Sequence, residues 1–244
     1  MTQYDFIIIG SGSGGGALAF YLHKAGAKVL VFEAGKFYRK NTFPKTEAEA
    51  SSDLYWGGGI EFDDQAKMGF LRGRLVGGSS IMYQCLMDRF DDIALNDWKG
   101  ESGVNFFTPA AMDPYYTQVE SDLELHTFTE SERNGNANLF VKACDDLGYK
   151  WGYLRRGQHD CGRELGNDCI TCLGGCHRDS KQSSMAAFIQ KVESTGLKLE
   201  SEVEITEIIH SDDGVTVKGL KGMLGTQAQI IANAKKVILA GGAF

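Results

Sequence analysis

Proline is nearly missing, with three residues in a chain of 244. Turns built on a locked φ angle are therefore few, and other residues must make them. Long apolar runs are also missing: none approaches the ~20 residues of a membrane-spanning helix, so no transmembrane segment is expected. The N-terminus lacks a basic region ahead of its first apolar pattern, so no export signal is read and a cytoplasmic location is expected. Positive charge is in deficit: 25 lysines and arginines stand against 32 aspartates and glutamates, for a net charge of −7. That balance argues against a nucleic-acid surface. No internal repeat or low-complexity tract is visible. Glycine is plentiful, with 31 residues and no collagen-like period, which implies many tight turns and close backbone approaches. Six cysteines without an export signal read as reduced thiols, metal ligands or cluster ligands rather than disulfides.

The glycines concentrate first at the N-terminus. Phe6 to Gly10 reads as a buried strand ending in a glycine turn, and Ala17 to Ala25 reads as a helix. Gly10, Gly12 and Gly15 give the G-x-G-x-x-G spacing at the junction, with Ser11, Ser13 and Gly14 between them. The first glycine permits the turn, the second lets a pyrophosphate approach the backbone, and the third lets helix and strand pack closely. Phosphates then sit on free N–H groups at the positive helix end. A second strand, Lys28 to Phe32, runs into Glu33. A carboxylate there can accept from both hydroxyls of an adenosine ribose and repels a 2′-phosphate, which disfavours NADP. The plain alternative is a Gly-rich turn in an ordinary βαβ unit with a solvated Glu33. The agreement of strand, turn, helix and acidic residue favours the dinucleotide.

Residues 36–70 read as loop with short elements around Gly57-Gly58-Gly59. Residues 91–130 read as mainly helical, with Pro114 suited to a first turn, and Asn138 to Leu147 reads as a helix closed by Gly148. Ser183 to Glu193 reads as a helix with Met185, Phe188, Ile189 and Val192 on one face. From Leu197 the pattern turns to strands, ending with Val237 to Ala240 before a Gly-Gly turn.

Two further segments carry chemistry. In Gly73-Arg74-Leu75-Val76-Gly77-Gly78-Ser79-Ser80-Ile81, the paired glycines let the backbone pass close to a flat ring or phosphate. Ser79 and Ser80 add hydroxyl donors, and Arg74 adds a cation near a diphosphate. Cys161, Cys169, Cys172 and Cys176 form C-x7-C-x2-C-x3-C. Four such ligands can hold an iron–sulfur cluster or zinc, or serve as free or structural thiols. Cys85 and Cys144 sit in apolar contexts and read as core residues. His23, His126, His159 and His210 read as surface or satisfied side chains.

Together these motifs resemble the glucose–methanol–choline (GMC) family of flavin oxidoreductases. The resemblance rests on Asp5 to Gly15 with Glu33-Ala34-Gly35, Gly73 to Ile81, Asp113 to Glu120, Cys172 to Ser184 and Val237 to Ala243. It implies an FAD cofactor bound at Gly10 to Gly15, Glu33, Ala34, Arg74, Ser79 and Gly241, with Gly77, Gly78 and Ser80 lining the flavin. Tyr83 stands where the family commonly has asparagine, which places it near the ring. Ile205 stands where the family pins adenine through a strand backbone, and it reads equally as a core isoleucine. The same resemblance gives the cysteine segment as a possible cluster that passes electrons to a protein such as a cytochrome. The implied reaction oxidises a small-molecule alcohol, such as a sugar or sterol, by hydride transfer to flavin. The family's proton-accepting histidine lies near its C-terminus, and no residue here takes that role. The implied fold is α/β, a Rossmann-like parallel sheet with an irregular helical insertion and a small β-meander, incomplete at the C-terminus. Residues 1–90 and 197–244 would form a discontinuous FAD domain, and residues 91–196 an insertion covering the flavin. The alternatives are another two-dinucleotide-fold flavoprotein, or a nucleotide-binding or electron-transfer fragment without turnover of its own.

Overall fold

The computed structural model describes residues 4–159, 171–211, 217–224, 227–232 and 234–242. In chain order its elements begin with β1 (Tyr4–Ile9), α1 (Ser13–Lys24), β2 (Val29–Phe32), α2 (Glu47–Leu54), β3 (Tyr55–Phe62) and β4 (Gly69–Gly73). A 3-10 turn at Gly78–Ile81 precedes α3 (Asp92–Ser102), α4 (Pro109–Asp122), β5 (His126–Thr127), α5 (Gly135–Leu147) and β6 (Arg155–Arg156). A π-helical turn at Met185–Ile189 runs into α6 (Gln190–Glu193). The last strands are β7 (Lys198–Glu200), β8 (Val203–His210), β9 (Val217–Leu224), β10 (Gln227–Ala232) and β11 (Ala234–Leu239).

By packing, the chain divides into two units, residues 1–84 with 160–244 and residues 85–159. The first unit holds a parallel sheet of order β11-β1-β2-β7. All four residues of β2 are buried, as a central parallel strand covered on both faces requires. The last strand does return to the first: β11 pairs with β1, Ile8 opposite Ile238. On one face Ile7, Leu30 and Phe32 pack with Val203 and Leu220 of the antiparallel β8-β9-β10 meander. On the other, Phe20 of α1 meets Phe188 with ring centroids 5.4 Å apart. That contact explains why Met185 to Val192, grouped with the insertion from sequence, pack with the sheet unit instead. All four predicted face residues of this helix are buried. Its first turn is π-helical rather than α.

Residues 36–70 are more ordered than the sequence suggests. Thr46 and Glu49 form a reciprocal capping box that starts α2. Gly57-Gly58-Gly59 lie within β3, all at positive φ, where the register with β4 shifts between Tyr55 and Ile60. The triple glycine is therefore a bulge in a hairpin and not a loop.

In the second unit, Thr108 caps α4 and Pro109 takes its first position. Pro114 lies inside that helix, a correction to the first-turn reading. The Thr108-Pro109 pair is the stronger start signal because it supplies both a cap acceptor and a locked φ. Gly148 closes α5 at φ +71°, as expected. Arg89 pairs with Asp113 at 2.6 Å and with Glu120 at 2.7 Å, and Arg155 reaches the same Glu120 at 2.7 Å. This network ties α4 to β6. Among the described residues, no helix is long and apolar enough to cross a membrane.

Candidate functional site

Strand β1 ends at Gly10, whose φ of +98° turns the chain into α1. A Cβ on Gly10 would strike the Ala240 carbonyl, and one on Gly15 would overlap the Gly10 carbonyl. Both glycines are therefore demanded by strand and helix packing. Gly12 and Gly14 differ: a Cβ at either would meet nothing within 4 Å. They border open space, as a pyrophosphate approach requires. Gly12 caps α1 without a side-chain bond, and no acidic residue stands in the first turn. Helix geometry leaves the N–H groups of this first turn without intrahelical acceptors.

These residues open onto a cleft of ≈ 740 Å³ in the first unit. That volume falls within the roughly 300–1,000 Å³ of typical ligand pockets. The cleft is bordered by Gly10, Gly12, Ser13 and Gly14 on the helix side and by Glu33 and Ala34 at the end of β2. Gly78, Ser79 and Ser80 form another wall, and Ile205 and Gly241 close it. The sequence-predicted residues from five separate segments are thus brought together.

Glu33 is 8 % exposed. Its Oε2 accepts from Ser11 N–H at 3.0 Å and Ser11 Oγ at 2.7 Å, and its Oε1 accepts from Gly35 N–H at 3.0 Å. Burial pushes this carboxyl above its usual range, and the Ser11 and Gly35 bonds pull it partly back. A carboxylate has about four acceptor sites, and most of those of Glu33 are taken within the protein, which leaves little capacity for the expected pair of ribose hydroxyls.

Five predicted contacts do not border the cleft. Ser11 is fully buried and spends its hydroxyl on Glu33 and on the Gly77 N–H, which donates to it at 2.9 Å. Gly15 is consumed in packing. Gly77 has φ +97°, and a Cβ there would crowd the side chains of Ile81 and Met185. Arg74 turns to Glu204 at 3.4 Å and stacks over Trp56 at 4.5 Å. Tyr83 donates its hydroxyl to the Gln182 carbonyl at 3.1 Å. Each of these serves as a support beneath or beside the wall.

The two serines of the second motif also differ. Ser80 Oγ donates to the Gly77 carbonyl at 2.6 Å and accepts from Ser184 N–H at 2.8 Å, so its hydroxyl is used internally. Ser79 Oγ accepts from Gly73 N–H at 3.0 Å, which leaves its proton for a ligand.

Sequence reasoning missed the β3-β4 hairpin, which contributes Trp56, Phe70 and Arg72 to the cleft. Arg72 is paired with Glu61 through two bonds of 2.7 Å. It also missed Lys181, 3 % exposed, whose ammonium donates to the carbonyls of Ile81, Tyr83 and Cys172 at 2.6 Å each. Of the predicted metal ligands, Cys161 and Cys169 lie outside the described residues, and Cys172 and Cys176 are half-buried. Among the described residues, no three His, Cys, Asp or Glu side chains are grouped so as to hold a metal. Cys144 and Cys85 are buried, as expected of core residues.

Comparison with known proteins gives a consistent picture. The family model described as GMC oxidoreductase matches residues 4–244. An uncharacterized GMC-type oxidoreductase of Sinorhizobium fredii is 26% identical over 207 residues, 84% of this chain and 40% of that protein. The long-chain-alcohol oxidase FAO4A of Arabidopsis thaliana is 27% identical over 224 residues, 89% of this chain and 27% of that protein. A formate oxidase variant of Aspergillus oryzae, solved in a study of FAD modification, superposes with a TM-score of 0.69 at 16% identity. That match covers 100% of this chain and 46% of that one. The chain thus spans less than half the length of each of these three relatives.

Proposed function

Because the chain belongs to the GMC oxidoreductases, we propose that its first unit binds FAD in the ≈ 740 Å³ cleft and that the whole protein oxidises the hydroxyl of a small-molecule alcohol. The observation that carries this reading is the convergence at one cleft of an uncapped helix start and a buried carboxylate one strand away. Gly12 and Gly14 border that cleft with no atom within 4 Å of where a Cβ would stand. These groups match the parts of an adenine dinucleotide in order.

The N–H groups at the start of α1 hold the diphosphate, and the helix dipole favours its charge. Glu33 accepts one ribose hydroxyl and orients the adenosine. Its carboxylate opposes a 2′-phosphate, which separates FAD from NADP-type ligands. The Ile205 region of β8 borders the adenosine end. The Gly78 backbone, at φ +53°, runs beside Gly12 and brings the second motif against the same ligand. Ser79 donates its hydroxyl proton to that ligand. When bound, FAD supplies a two-electron acceptor for hydride from the alcohol carbon. The proton-accepting group for the alcohol is not assigned to any residue of this chain.

The names of the relatives, long-chain-alcohol oxidase and formate oxidase, favour dioxygen over a cytochrome as the electron acceptor. An iron–sulfur cluster is not part of this reading. Incubation of the full chain with FAD, followed by desalting and an absorbance spectrum, tests it. Retained bands of oxidised flavin, with no comparable retention of NADP, are expected. A folded, colourless protein that retains no FAD overturns the proposal.

A further inference from the structure

We propose that Ser184 is a positioning residue that locks the two glycine loops of the flavin cleft to each other. This inference rests on the FAD reading above and deepens it.

Ser184 is 3 % exposed, one of five consecutive buried polar residues from Ser180. Its Oγ–H is shared between the Gly12 carbonyl at 2.9 Å and the Ser11 carbonyl at 3.0 Å. Its N–H donates to Ser80 Oγ at 2.8 Å, and Ser80 Oγ donates to the Gly77 carbonyl at 2.6 Å. The Gly77 N–H returns to Ser11 Oγ at 2.9 Å. These bonds form a closed ring through three segments distant in sequence. Two of those segments carry the cleft-facing residues Gly12, Gly78 and Ser79. The third carries Ser184, which bonds both of the others and does not border the cleft.

Two independent observations fit the same role. Gly16 lies outside the G-x-G-x-x-G spacing, yet a Cβ there would overlap Ser184 Oγ. The third consecutive glycine of Gly14-Gly15-Gly16 is thereby explained: it makes room for this serine. The π-helical turn at Met185–Ile189 begins immediately after Ser184. Such turns widen the helix and re-aim the residues at their start. A loop pair fixed in advance presents its N–H groups to the diphosphate without an ordering cost on binding.

The test compares the full parent chain with Ser184→Ala, Ser184→Thr and the neighbouring control Ser183→Ala. Ser183 is equally buried, but its hydroxyl accepts from Ala186 N–H within its own turn. Amide hydrogen exchange without FAD is read first. Ser184→Ala is expected to speed exchange at both residues 12–14 and residues 77–80, and Ser183→Ala at neither. FAD titration by fluorescence quenching is read second. Loss of one net hydrogen bond predicts roughly tenfold weaker binding for Ser184→Ala, with Ser184→Thr retaining the hydroxyl and staying within about threefold of the parent. Unchanged exchange in Ser184→Ala overturns the proposal, as does FAD affinity within about twofold of the parent. Equal loss in the Ala and Thr variants also overturns it. If the parent itself binds no FAD, the functional reading fails and the flavin-positioning role falls with it, an outcome recognised by the parent alone.

Discussion

Ser11 Oγ donates to Glu33 Oε2 at 2.7 Å while accepting from Gly77 N–H at 2.9 Å, so one fully buried hydroxyl joins the end of β2 to the second glycine motif. Ser11→Ala removes both bonds and leaves a buried N–H without its acceptor, at a cost of about 1–3 kcal/mol. The pH dependence follows from Glu33. Its pKa is raised by burial above the ordinary value near 4.5, so the folded chain holds this proton more tightly than the unfolded chain. Its contribution to stability is therefore greatest below that ordinary value and declines as pH rises through the folded value. Ser11→Ala weakens the compensation for the charged form, so its stability deficit should grow as pH rises from acid toward neutral. Thermal melts of parent and variant across that range measure it. A deficit that shrinks with rising pH would refute the account.

Gly12 and Gly15 share one motif but answer to different constraints. Alanine at Gly15 would collide with the Gly10 carbonyl, so Gly15→Ala should lower stability by about 1–3 kcal/mol with or without FAD. Alanine at Gly12 meets nothing in the protein, and Gly12 already has a negative φ of −61°. Its stability cost should be about 0.5–1 kcal/mol, because alanine is a poorer N-cap than glycine. Its methyl instead occupies the diphosphate approach, so FAD affinity should fall by about tenfold or more. Melts and FAD titration together separate the two. Equal stability losses would contradict this division.

Much of the first unit was legible because its signals are local. The strand pattern at Phe6 to Gly10, the glycine spacing and Glu33 all lie within one βαβ unit, where period and turn chemistry act over a few residues. The return of β11 to β1 was legible from the apolar strand pattern of Val237 to Ala240, although the strand expected to be buried is only half-buried, with Leu239 69% exposed. The β3-β4 hairpin was not, because Gly57-Gly58-Gly59 carries the composition of a loop while acting as a bulge. Arg74 was placed at the diphosphate by charge alone, but Trp56, three-dimensionally adjacent and hidden in that hairpin, draws it aside. Lys181 and Ser184 sit in a polar run with no apolar pattern to mark it as buried. Their burial depends on partners about a hundred or more residues away, which no local pattern encodes.

Lys181 carries the next prediction. Its ammonium satisfies three carbonyls, one at the end of the second glycine motif, one two residues beyond it and one in the cysteine segment. Lys181→Met keeps the length of the side chain but leaves those carbonyls without their donor. A loss of roughly 3 kcal/mol is expected, or about 6–12 °C in Tm for a chain of this size. Lys181→Arg should not restore it, because a planar fork cannot reproduce three donors radiating from one nitrogen. A Lys181→Met chain melting within about 2 °C of the parent would show that these bonds contribute little.

The ion network of the second unit predicts an acid limit on stability. Hydrogen bonding to Arg89, then to Arg155, holds Glu120 down at about 2. A carboxylate depressed on folding contributes stability that is complete above its ordinary value near 4.5 and disappears as pH falls toward the folded value. Glu120 retains 23% side-chain exposure, so solvent screening reduces the contribution to about 1–2 kcal/mol. Arg89→Met should therefore destabilise the chain at pH 7 yet approach the parent as pH falls toward and below 2, where Glu120 becomes protonated in the parent as well. Guanidinium melts followed at the tryptophans Trp98 and Trp151 of this unit test it. A constant difference between variant and parent from pH 7 to pH 2 would assign the loss to Arg89 packing against Tyr116, 5.4 Å away, and not to charge pairing.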